Sequence, residues 1–170
     1  MGPSLQEIND NIAIQVSNGQ YLTLKTHRMT EMVEDHIKHA IESILAKTNK
    51  SNLIHVIYTI LKELVINGCK ANQKRVFFEE RGYNISDSQQ YAVGNEEYKK
   101  IFSEEMALEY GIKAKAKGLY CLIDFLFDEN GLTIEVSNNT TITPQEEASM
   151  REKLKKAMGY NDIAEFYLDQ

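Results

Sequence analysis

Hydrophobic and polar positions alternate along this chain with two different periods. In 11–17, Asn-Ile-Ala-Ile-Gln-Val-Ser, and again in 21–25, Tyr-Leu-Thr-Leu-Lys, apolar side chains recur at every second position, the period of a strand with one buried face. Asn18-Gly19 between them is the residue pair that two-residue hairpin turns favour, so the spacing predicts an opening β-hairpin. From Thr30 the period lengthens: Met32, Val33, Ile37, Ala40, Ile41, Ile44 and Leu45 fall at helical spacing, with Thr30 as N-cap and 49–52, Asn-Lys-Ser-Asn, as a break.

A central helix is expected from near Asn52 to about Glu79, with Ile57, Ile60, Leu61, Leu64, Val65, Gly68 and Cys69 on its apolar face. The polar residues 82–94 read as a loop or short helical turns, and 95–117 as a second long helix with a break near Gly111. Gly118 stops that helix. Residues 119–127 form a strand too apolar for an edge, 128–131 a turn, and 132–137 the paired strand. Thr143-Pro144-Gln145-Glu146 opens a helix with proline in its first turn and Glu146 as capping-box partner of Thr143. That helix runs to about Met158, and Asn161 caps a last short one. Hairpin, three helices, hairpin and helix define an α+β protein: a two-layer sandwich over 1–170, helices on one face of a mainly antiparallel sheet.

Composition narrows the function classes without naming one. A hydrophobic fraction of 42% and a charged fraction of 26% are those of one ordinary globular domain, and no apolar run reaches membrane-spanning length. A net charge of -6 argues against nucleic acid, whose phosphates demand a basic surface. Lys99, Lys100, Lys113, Lys115 and Lys117 alternate with Glu96, Glu97, Glu104, Glu105 and Glu109 and read as a solvated helix face. Cys69 and Cys121 have no metal spacing and read as buried thiols of a reducing, cytoplasmic compartment.

On the central helix Glu63, Asn67 and Lys70 lie four and three residues apart and share one face. They satisfy each other at a helix surface, or they form a site. The stretch 63–72, Glu-Leu-Val-Ile-Asn-Gly-Cys-Lys-Ala-Asn, resembles the N box of the histidine-kinase-like ATPase superfamily, roughly E-L-x-x-N-A-x-K-A, with Gly68 in place of the alanine. That family has the Bergerat fold, a sheet with helices on one face.

The resemblance implies ATP and Mg²⁺ as cofactors. Asn67 would hold the metal through its amide oxygen, Glu63 would be the catalytic group orienting a water, and Lys70 would neutralise phosphate. Magnesium's preference for hard oxygen ligands, and a phosphoryl group's for a nearby cation, make those roles reasonable. The expected stripe faces a cleft between helix and sheet. Asn138 and Asn139 follow the last strand where the family has D-x-G-x-G, whose Asp accepts from the adenine amino group. An Asn oxygen can still accept, but both glycines are missing, and Asn138-Asn139 also fits a plain strand-end turn.

No glycine-rich G-x-G-L-G lid follows. Either the sequence is a shortened piece of a longer protein, which the run 160–166 favours, or the phosphate clamp is lost. The resemblance thus implies an ATP-binding signalling domain with weak or no turnover, with a protein partner. The alternative is a degenerate, non-catalytic interaction module of the same fold. A sheet left incomplete at its C-terminal end predicts a homo-oligomer joined through that edge or the C-terminal region.

His36 and His39 beside Asp35 lack the proline of a phosphoacceptor motif and a third metal ligand, and read as part of an amphipathic helix; His27 and His55 show no partner in the sequence. Phosphate-loop, dinucleotide, nucleophile-elbow and paired-cysteine signatures are absent.

Overall fold

The structure, a computed structural model, describes residues 5–19, 21–48 and 50–157. Along it run α1 (Leu5–Asn18), β1 (Tyr21–Thr26), α2 (Glu31–Leu45), a 3₁₀ turn (Ser51–Leu53), α3 (Ile54–Glu80), α4 (Ser88–Ile101), α5 (Glu104–Ala116), β2 (Cys121–Phe127), β3 (Leu132–Asn138) and α6 (Pro144–Ala157). The strands form one open antiparallel sheet in the order β1-β2-β3. Period-two alternation sorts its faces. Cys121, Ile123, Phe125 and Phe127 are buried under the helices, while Leu122, Asp124 and Leu126 turn to the other side, where Tyr21 and Thr23 donate to Asp124. The protein is α+β, as its pattern predicts.

The opening hairpin is a correction. Residues 5–18 are helical, and β1 pairs with β2, Leu22 opposite Phe125 and Leu24 opposite Ile123. Over 11–17 an alternating pattern also fits a helix, because Ile12 and Val16 are four apart. Extending upstream to Ile8 completes the helical stripe, and Ile8, Ile12 and Val16 pack into the core while Ile14 is 56% exposed. Gly19 then donates to Gln15 O as a helix end, and Lys47 reaches the carbonyl of Val16.

α2 starts as expected, Thr30 accepting from Val33 N. α3 is 27 residues, about 40 Å long, and serves two cores. Its first half, through Leu61, Val65 and Cys69, packs with α1, α2 and the sheet. Its second half, through Val76, Phe77 and Phe78, packs against Tyr98 of α4 and Met106, Tyr110 and Ala114 of α5.

The second long helix is also corrected. Asp87 caps α4 by accepting from Gln89 N and Gln90 N, so the helix begins well before residue 95. The break falls at Phe102, whose ψ of 122° is extended, followed by Ser103 capping α5. Gly111 lies inside α5, where its missing side chain admits Arg28; a Cβ there would sit 2.8 Å from the Arg28 Cβ. α6 opens with the expected box: Glu146 N donates to Thr143 Oγ1 and Thr143 N to Glu146 Oε2. The short helix expected at Asn161 lies outside the described residues. Among those described, no helix is long and apolar enough to cross a membrane.

Candidate functional site

Glu63 and Asn67 each follow a fully buried residue, Leu61 and Val65, by two positions, about 200° round the helix. The residues that bury α3 against the sheet therefore turn this pair to water. This corrects the expectation of a helix–sheet cleft: the stripe lies on the solvent side of α3. Neither side chain hydrogen-bonds or pairs with a described residue. Lys70 is half-buried, its Nζ 4.7 Å from the centre of the Phe102 ring, and Tyr98 donates to its carbonyl at 3.4 Å.

Antiparallel pairing of β2 with β3 sets Asn138 opposite Cys121 and against α3. Its Nδ2 donates to Gly68 O at 3.1 Å, one residue from Asn67. The strand end and the N-box-like segment are thus in contact. Asn139 turns elsewhere: its Oδ1 accepts from Tyr120 N at 2.8 Å, and its Nδ2 donates to Gly118 O at 2.9 Å. That is a turn-forming role, the plainer of the two sequence readings.

Beyond Lys70 the next turn of α3 holds a polar cluster that sequence reasoning missed. Glu146 pairs with Lys74 at 3.0 Å and Arg75 at 2.9 Å. Thr140 donates to Asn72 Oδ1, and Arg75 donates to the carbonyl of Thr141. Together they strap the β3–α6 connection across α3. Burial raises the Glu146 carboxyl, but the Thr143 N–H, Lys74 and Arg75 outweigh it and hold it at about 2. Only the Thr143–Glu146 box was legible; contacts across some seventy residues leave no spacing signal. Asn72 is fully buried, and its Nδ2 has no hydrogen-bond partner among the described residues.

Elsewhere the side chains are mostly committed to structure. Burial pushes the Cys69 thiol up to about 12 and the Cys121 thiol up to about 11, which leaves both inert near neutrality. The Nε2 atoms of His36 and His39 are buried without hydrogen-bond partners among the described residues. Lys113 pairs with Glu80 and Glu109, and Lys117 with Glu79. A cleft of about 500 Å³ lies between the starts of α2 and α3, lined by Glu31, Glu34, Asp35, Lys38, His55 and Tyr58, and no stripe residue reaches it. Among the described residues no three His, Cys, Asp or Glu side chains could hold a metal. A magnesium ion at Asn67 would therefore keep its waters and take phosphate oxygens, as this ion commonly does.

No family model and no solved structure matches the chain. A protein of Treponema pallidum (strain Nichols), described as an uncharacterized protein, is 27% identical over 144 residues, which is 85% of this chain and 28% of the relative. The chain thus spans under a third of that protein's length.

Proposed function

We propose that this is a nucleotide-binding domain of the histidine-kinase-like ATPase type, taking ATP with Mg²⁺ on the face of α3 that carries Glu63, Asn67 and Lys70. The observation that supports the reading is the hydrogen bond from Asn138 to the Gly68 carbonyl, which ties the end of β3 to the backbone of the N-box-like segment, one residue from Asn67. The residues fit the ligand in three respects. Asn67 and Glu63 offer unpaired hard oxygens to a hydrated magnesium ion. Lys70 supplies a cation one turn away. Asn138 uses its donor on Gly68, which leaves its oxygen as the atom able to accept from an adenine amino group. ATP bound with magnesium would supply the phosphoryl group; Asn67 would orient it, Glu63 would hold a water, and Lys70 would offset charge.

A second reading has its own observation. Thr140, where the ATPase family has a glycine open to nucleotide, is spent on Asn72, and Asn139 beside it on Tyr120 and Gly118. That favours an interaction module of the same fold. Calorimetric titration with Mg-ATP and Mg-ADP separates the two. Saturable binding that needs magnesium and is lost in Asn67→Ala supports the nucleotide domain; no heat with either nucleotide at millimolar ligand leaves the module.

A further inference from the structure

We propose that the chain pairs with a second copy of itself, antiparallel, along the exposed face of α3. Leu53, Val56, Ile60 and Leu64 are 38%, 53%, 57% and 49% exposed. At about 100° per residue they fall within a sector of about 80°, and Leu53 enters α3 with helical backbone (φ -88°, ψ -10°). Between Lys50 and Lys62 the chain has no Asp, Glu, Lys or Arg. Lys62 points away from this strip, to Glu34. The first part of α3 therefore carries an apolar strip on its solvent side as well as an apolar core side, the pattern of a helix face that is covered.

The spacing selects the occupant. Read backwards, the strip nearly repeats itself: a two-fold axis that sets Val56 against the partner's Ile60 also sets Leu53 against the partner's Leu64, within one residue's rise. Such self-complementarity is what an isologous contact needs and a foreign partner does not. The flanking charges agree. Lys50 is exposed one turn before Leu53, and Glu63 is exposed and without an ion pair among the described residues at the other end. Antiparallel pairing brings Lys50 of each copy to the Glu63–Asn67 turn of the other; parallel pairing would set like charges together. This contact differs from the sheet edge or C-terminal region expected from sequence, and it holds whether or not nucleotide binds. It would place the second copy's Lys50 beside Asn67.

Sedimentation of the full chain over a range of concentrations tests it. The wild type should dimerise. Ile60→Asp, at an exposed position and so expected to leave the circular dichroism unchanged, should weaken the dimer about tenfold or more. Lys50→Glu and Glu63→Lys should each weaken it about fivefold, since each removes two symmetric pairs, and the double reversal should restore it. Mixed Val56→Cys and Ile60→Cys chains should cross-link under mild oxidation, the native cysteines being buried. A wild type that stays monomeric at high micromolar concentration, a dimer untouched by Ile60→Asp, or a double reversal no better than the single ones overturns the proposal.

Discussion

Asn138 occupies the space that a side chain on Gly68 would need. Its Oδ1 lies 2.8 Å from the position of a Cβ at residue 68, and its Nδ2 donates to the Gly68 carbonyl. The missing side chain at residue 68 is therefore what admits the Asn138 amide against the helix.

Gly68→Ala should consequently destabilise the protein although alanine is the better helix former. The added carbon would also lie 2.9 Å from Cys121 Sγ, which is fully buried. Overpacking of about 1–3 kcal/mol outweighs a propensity gain of about 1 kcal/mol. Asn138→Ala removes one of the two obstructions. In urea unfolding the double variant should be more stable than the sum of the single effects, and strict additivity would mean the two residues are not coupled.

The Glu146 cluster predicts an acid transition. Its folded-state value of about 2 lies below the ordinary carboxylate 4.5, so its contribution is full above pH 4.5 and is lost as pH falls toward 2. Glu146→Gln should cost about 2–3 kcal/mol at pH 7, and the deficit should shrink steadily through that window. A deficit independent of pH would show that the carboxylate's charge does not hold the β3–α6 connection.

His36 predicts a slope of the opposite kind. Burial, with His39 adding to it and Asp35 opposing it, holds its imidazole below the ordinary 6.5. The charged form is disfavoured in the folded protein, so stability should fall as pH drops below 6.5. His36→Leu should flatten that part of the stability–pH profile. An unchanged slope would assign the acid sensitivity to other groups.

How much was legible follows from the range of the contacts involved. α2, α3, β2, β3 and the start of α6 follow from local period and capping, since Thr30 and Thr143 act within one turn of their own helix. The break at Phe102 did not, because Gly111 is the stronger local breaker and only the approach of Arg28 explains a glycine inside α5. At the site, Asn67 and Glu63 were legible as one face but not as the solvent face: what turns them outward is the burial of Leu61 and Val65 against the sheet. The strap through Arg75, Glu146 and Thr140 depends on residues far apart in the chain and had no local signature.

The opening segment offers the sharpest test, because strand and helix make opposite demands on two neighbouring isoleucines. In a hairpin Ile12 and Ile14 share a face and lose similar burial when truncated. In α1 they diverge: Ile12 is 3% exposed and packs with Ile8 and Val16 in the core, whereas Ile14 is 56% exposed. Ile12→Ala should therefore cost about 2–4 kcal/mol in chemical unfolding, while Ile14→Ala should stay within about 0.5 kcal/mol of wild type. Ile14→Asp should also be tolerated, since it puts a carboxylate on a water-facing helix surface. Comparable losses at both positions would return residues 11–17 to a strand and detach β1 from its pairing with β2.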